Sequence, residues 1–207
     1  MIAIVGAGGH ASCVYECLYC AGEEVVGFYD DDPDLRGKEV VDGKKVLGTP
    51  EELLGEEQVD GVFVAIGNNR LRVEKCRDYR SRGYRLPRAA HPRAYISPFA
   101  RVKSGVFLMG AALVNPRARV EDYVIINTNA TVGHDCVLEE GVQIGPGVNL
   151  AGGSHLEEGV FVGIGARVAP NVHIGAGSVV GAGAVVLADI PAGVACYGIP
   201  AKVRQDK

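Results

Sequence analysis

From Ile96 onward every sixth residue is aliphatic: Val102, Leu108, Val114, Val120, Ile126, Val132, Leu138, Ile144, Leu150, Leu156, Val162, Val168, Ile174, Val180 and Val186 continue the run without a break. Four residues after most of these comes a small or β-branched residue, as at Ala112, Ala118, Ala130, Cys136, Val142, Val148, Ser154 and Ala166. Glycine often follows the aliphatic position, as at Gly133, Gly145, Gly163, Gly175 and Gly181. A period of six matches neither the 3.6 of an α-helix nor the 3.5 of a coiled coil. It fits a three-sided solenoid in which each hexad supplies one short strand and one corner, and three hexads close a coil. About five coils of a left-handed parallel β-helix are predicted, with crossovers opposite to the usual right-handed rule.

The front of the chain has another pattern. Ile2–Val5, Val25–Tyr29 and residues 62–66 are apolar, β-rich runs, and residues 11–21 and 70–83 are helix-like. Thr49 and Pro50 read as the N-cap and first residue of a short helix. The order β-α-β-α-β predicts a small parallel sheet of the Rossmann type. The expected division is residues 1–88 and residues 89–207.

Composition narrows the function classes. The chain has 207 residues, 47% hydrophobic, which suffices for a packed core. Its 29 glycines, 6% aromatics and absence of Trp suit tight turns and thin layers. The net charge of −4 and the lack of a Lys/Arg cluster speak against a nucleic-acid surface. The basic residues between 70 and 88 read as a solvated helix face. No apolar run of about 18 residues occurs and the start, MIAIVGAGG, has no basic leader, so a cytoplasmic protein without membrane contact is expected. Cys13, Cys17 and Cys20 have the C-x3-C-x2-C spacing of radical-SAM cluster ligands. On a helix they fall at i, i+4 and i+7, so they are expected to pack one face on the sheet and not to hold a cluster.

Two places carry candidate chemistry. Gly6-Ala7-Gly8-Gly9-His10 joins a strand to a helix, where backbone N–H groups favour phosphate. Asp30 and Asp31, after the second strand, and Gly67, Asn68 and Asn69, after the third, converge on the same carboxyl edge of the sheet. In the solenoid, His134-Asp135 lies two residues past an inward aliphatic, at a corner. There the carboxylate can hold one ring nitrogen as a donor and leave the other as a base. The alternative is a plain surface histidine. His155 and His173, one coil apart, share a hexad phase, but a zinc site would need a third histidine and His134 lies in another phase, so outer-face histidines and no metal are expected. Cys136 is in a core phase and is not expected to be a nucleophile.

Six segments together resemble one family: VGAGGH at 5–10, YDDD at 29–32, VAIGNN at 64–69, HPRAYISP at 91–98, INTNATVGHDC at 126–136 and YGIPAKV at 197–203. It is that of the sugar O- and N-acyltransferases related to sialic-acid O-acetyltransferase and to bacterial UDP-4-amino-sugar N-acetyltransferases, hexapeptide-repeat enzymes. The resemblance implies a nucleotide-sugar-binding front domain, a β-helix acyltransferase domain with a C-terminal tail, acetyl-CoA as cosubstrate, a homotrimer and a role in surface-polysaccharide synthesis. It implies His134 as general base, Asp135 as the residue that raises its basicity and the Gly152 N–H as an oxyanion donor. Gly8, Gly9, His10, Asp30, Asp31, Gly67 and Asn68 would hold the nucleotide-sugar, and Gly163, Ile164 and Ala182 would contact acetyl-CoA. Many relatives carry a second histidine near the acetyl group where this chain has Gln143, an amide that can still donate. N-acetylation of a nucleotide-linked 4-amino sugar is the expected activity. Sialic-acid-type O-acetylation and a non-catalytic nucleotide-sugar-binding scaffold are the alternatives.

Overall fold

The computed structural model describes residues 1–204, which form two compact units, Met1–Pro92 and a second starting at Arg93. In the first unit, β1 (Ile2–Val5) lies between β2 (Val25–Tyr29) and β5 (Gly61–Val64), parallel to both. Two strands not anticipated from the pattern extend the sheet: β4 (Lys44–Gly48) runs parallel to β2, and β3 (Glu39–Val41) pairs antiparallel with β4. Their hairpin turns through Asp42 and Gly43, both at positive φ (50° and 73°), the backbone that Asp-Gly favours. The strand order is β3-β4-β2-β1-β5.

α1 (Gly9–Cys20) starts two residues earlier than the hydrophobic pattern indicates, with Gly8 as N-cap, so Gly9 and His10 belong to its first turn. Gly6 turns β1 toward α1 at φ +100°, and a Cβ there would lie 3.0 Å from the Ala65 carbonyl oxygen; only glycine meets both demands. Of the three cysteines, Cys17 alone is buried. Cys13 is half-buried, and Cys20 ends the helix at the turn through Gly22 and is exposed, so the expected cysteine face is only partly covered. The short helix after Thr49 is a 3₁₀ turn, Glu52–Gly55. Its N-cap position is Glu51, not the expected Thr49, and Pro50 lies before the helix; just ahead of it Thr49 Oγ1 accepts from Glu52 N–H at 3.3 Å and Glu52 Oε2 accepts from Thr49 N–H at 2.8 Å. α2 (Asn69–Ser81) is capped by Asn68, whose Oδ1 accepts from Leu71 N–H at 3.0 Å.

The second unit is a left-handed parallel β-helix. Two-residue strands from successive coils stack on three faces. On the first face Thr131–Val132 pairs with Leu113–Val114 and Asn149–Leu150. On the second Val137–Leu138 pairs with Arg119–Val120 and His155–Leu156, and on the third Gln143–Ile144 pairs with Ile125–Ile126 and Phe161–Val162. The fourteen aliphatic positions from Leu108 to Val186 are all buried, each worth roughly 1.5–3 kcal/mol of burial. Ile96 and Val102 are half-buried; they belong to the first coil, which has no coil before it. His134 falls in the third of five coils.

Candidate active site

The corner between the first and second faces is the same short turn repeated in every coil. Asp135 N–H donates to the Pro116 carbonyl at 3.2 Å, Gly153 N–H to His134 at 2.9 Å and Asn171 N–H to Gly152 at 3.0 Å. Two columns of residues therefore run along this corner: Pro116, His134, Gly152, Pro170, and beside it Arg117, Asp135, Gly153, Asn171. The second column is left-handed throughout, with φ of 62°, 59°, 72° and 60°, which is how so tight a corner closes.

The His134 side chain is 66% exposed, and its Nδ1 lies 2.7 Å from Asp135 Oδ2. Arg117, one coil earlier, grips the same carboxylate with two bonds, Nε to Oδ1 at 2.6 Å and Nη2 to Oδ2 at 2.7 Å. The hydrogen bonds from Arg117 and then from His134 hold the Asp135 carboxyl well below the usual carboxylate range, so it only accepts. The ring nitrogen facing it must carry the proton, which leaves Nε2 with its lone pair free.

Beneath the ring is Gly152. A Cβ built on it would lie 2.5 Å from His134 Nε2, so the imidazole occupies the space a side chain would fill. The Gly152 N–H has no acceptor among the described residues. The imidazole and an unused backbone donor therefore belong to the same corner of neighbouring coils. Cys136 is fully buried, donates its thiol to the Ala151 carbonyl at 3.2 Å and is pushed up by burial; it is a core residue.

The residues matched to acetyl-CoA lie elsewhere on the prism. Gly163, Ile164 and Ala182 share the corner between the third and first faces; Ile164 is 59% exposed, and the Ile164 and Ala182 N–H groups have no acceptor among the described residues. Gln143 is on the third-face strand leading to that corner, and its Oε1 is buried without a partner among the described residues. Along the chain Gln143 comes half a coil after His134. One chain therefore carries the base and these residues on different corners.

In the first unit the candidate residues converge at the carboxyl ends of β1, β2 and β5. Gly8 and Gly9 have open space where a side chain would be and line a cleft of ≈ 230 Å³ with Ala7, Ser12, Lys38 and Glu39. Asp30 has a structural duty: its carboxylate accepts from Ala7 N–H at 2.8 Å and from Asp32 N–H at 3.0 Å, tying the loops after β1 and β2 together. Asp31 is exposed. Asn68 spends its oxygen on the α2 cap. The buried Arg72 braces the Gly67 loop, donating to Ile66 O at 3.1 Å, Gly67 O at 3.4 Å and Asn69 Oδ1 at 2.9 Å. Burial, and then the Arg72 charge, bring His10 down to about 4, so it is neutral at pH 7.

Arg72 and Arg117 were not anticipated. Nothing in a helical pattern marks a buried arginine, but Arg117 precedes Asp135 by three hexads and the coil length alone places it there. His155 and His173 meet edge to face, with ring centroids 4.8 Å apart and planes at 75°; both are half-buried, each with Nε2 on a glutamate, Glu139 at 2.7 Å and Glu157 at 2.8 Å. Among the described residues no group of three His, Cys, Asp or Glu could hold a metal ion, and no helix is long and apolar enough to cross a membrane.

Residues 1–79 match the family described as PglD N-terminal domain, and residues 117–152 and 153–188 match bacterial transferase hexapeptide repeats. Among solved structures, PerB from Caulobacter crescentus in complex with CoA and GDP-perosamine is 42% identical, with 99% of this chain and 97% of that chain covered and a TM-score of 0.93. A variant of that perosamine N-acetyltransferase with one histidine replaced by asparagine, in complex with the same two molecules, gives the same identity and coverage and a TM-score of 0.94. The acetyltransferase domain of PglB from Neisseria gonorrhoeae in complex with acetyl coenzyme A is 38% identical, with 98% of each chain covered and a TM-score of 0.91. No curated protein matches the chain. By its two matched domains and these full-length likenesses, the chain belongs to the hexapeptide-repeat sugar acyltransferases.

Proposed function

We propose that this protein moves the acetyl group of acetyl-CoA onto the amino group of a nucleotide-linked 4-amino sugar, with His134 as the general base. The observation that carries the reading is the His134 corner, where Nε2 is left basic by the Nδ1–Asp135 bond and stands beside the unused Gly152 N–H. The amine nitrogen gives its proton to His134 Nε2 as it attacks the thioester carbonyl. The Gly152 N–H donates to the oxygen as it gains charge, and the C–S bond breaks as the new C–N bond is completed. The departing sulfur takes the proton back from His134, so CoA leaves as the thiol. No covalent enzyme intermediate is needed.

Gly8, Gly9, His10, Asp31, Gly67 and Asn68 are assigned to the nucleotide-sugar, with Asp30 acting through the loop it braces. Because the CoA-contacting corner of one prism is not the corner that carries its base, the complete site is assigned to a groove between copies in a homotrimer. Free cysteines and cosubstrates of cytoplasmic metabolism support a cytoplasmic role in making surface polysaccharide.

Thiol release from acetyl-CoA tests this with GDP-perosamine, a UDP-linked 4-amino sugar and sialic acid as acceptors. GDP-perosamine comes first because the 42%-identical relative holds it. The expected result is turnover with an amino sugar that falls about 10²- to 10⁴-fold in His134→Ala. Turnover with sialic acid alone would mean O-acetylation, and unchanged turnover in His134→Ala would exclude the proposed base.

A further inference from the structure

The third member of the His134 corner has no role in the mechanism just described. We propose that Arg117 is a positioning residue for the reaction: it fixes the Asp135 carboxylate so that His134 is held in its Nδ1-protonated form with Nε2 aimed outward. The inference rests on the assignment of His134 as base and extends it one coil back along the chain.

The geometry is set by the solenoid. Arg117 and Asp135 occupy the same place in successive coils and share the left-handed turn conformation, at φ 62° and 59°, so their side chains leave the corner side by side. Both Asp135 oxygens are engaged: Oδ1 accepts from Arg117 Nε at 2.6 Å, and Oδ2 accepts from Arg117 Nη2 at 2.7 Å and also faces His134 Nδ1 at 2.7 Å. A carboxylate on a single bond to Cβ can rotate, and an exposed one facing only an imidazole would do so. The planar, two-pronged guanidinium removes that freedom, since rotation would break two charge-assisted bonds at once. The low proton affinity that Arg117 gives Asp135 keeps the carboxylate from becoming a donor, which would let the imidazole turn its lone pair inward.

The surroundings do not offer a substitute. The same groove, of ≈ 410 Å³, is lined by Phe99, Arg101, Arg119 and Ala118. Arg101 and Arg119 are paired in register on the second face, one strand on from the corner, and neither has a hydrogen-bonded contact to Asp135 among the described residues. On the other side the column continues with Gly153 and Asn171, which carry no charge.

The experiment is a double-mutant cycle on the full-length protein, Arg117→Ala and Asp135→Asn singly and together, with Arg117→Lys as the conservative variant. Arg117→Ala should lower kcat about tenfold to hundredfold, as loss of an outer hydrogen-bond partner does, and change the KM for acetyl-CoA less than about twofold. Arg117→Lys should recover part of kcat. In the Asp135→Asn background Arg117→Ala should have almost no further effect, because Arg117 acts through Asp135.

Full additivity of the two losses, or an unchanged kcat in Arg117→Ala, would overturn the proposal. A second measurement does not depend on turnover: ¹⁵N spectra of the histidine rings should show His134 with the proton on Nδ1 in the wild type and a mixture of tautomers in Arg117→Ala. A wild type that acetylates no amino sugar but shows this tautomer change would refute the activity and leave the positioning role standing. An unchanged tautomer in Arg117→Ala would refute the positioning role alone.

Discussion

Replacing Gly152 with alanine tests how closely the His134 ring is set against the coil below. The new Cβ would lie 2.5 Å from His134 Nε2, whereas ordinary contact begins at 3.4 Å, so the ring has to withdraw by about 1 Å. The side chain is 66% exposed and has room to swing, and the backbone at Gly152 does not have a positive φ. The fold should therefore absorb the methyl group with little change, since Gly→Ala at a compatible backbone alters stability by about 1 kcal/mol or less. Catalysis should not absorb it. A displacement of about 1 Å at a catalytic group costs on the order of 100-fold in rate, or about 2.7 kcal/mol. Thiol release from acetyl-CoA at saturating acceptor gives kcat, and a thermal melt of the same preparation gives stability. A Gly152→Ala protein with wild-type kcat and melting temperature would refute the placement of the base over that backbone.

Two other substitutions probe the scaffold and the front unit. Ile144→Ala removes a fully buried side chain from the prism interior and should cost about 2–5 kcal/mol, seen as a melting temperature roughly 5–15 °C lower. His10 has a folded-state value near 4, below its ordinary 6.5, so the unfolded chain binds the proton first. Its contribution is intact above about pH 6.5 and is lost as pH falls toward 4. Denaturant titrations between pH 7 and 4 should show this decline, and His10→Asn should flatten it; equal slopes in the two proteins would show that another group is responsible.

The solenoid is legible because its restraint is periodic. An interior wide enough for one aliphatic side chain per face admits the same residue class at Leu108, Val132, Leu138, Ile144 and Val180, and a sequence written in sixes exposes it. The outward placement of His134 was also legible, since a residue two past an inward aliphatic falls at a corner, and its side chain is exposed. What the pattern did not give depends on contacts between coils or loops. Arg117 is distant in sequence from the carboxylate it holds. Asp30 reads as a ligand for ribose or base, yet its oxygens are taken by Ala7 and Asp32 N–H groups. β3 and β4 were missed because Lys38, Glu39, Lys44 and Lys45 dilute the apolar signal, although Asp42-Gly43 is a recognisable hairpin turn. Arg72 has the sequence character of a solvated helix residue and is buried because it satisfies the carbonyls where β5 ends.

A structure assembled from stacked coils touches itself only at neighbouring levels, and His134, the proposed base, stands at the middle level of five. Loosening of either end coil has one intervening layer to cross before it reaches that imidazole. The outermost rungs are therefore free to change in sequence, or to breathe, at little risk to the chemistry. A single misplaced residue in the rung directly above or below acts on the ring at once.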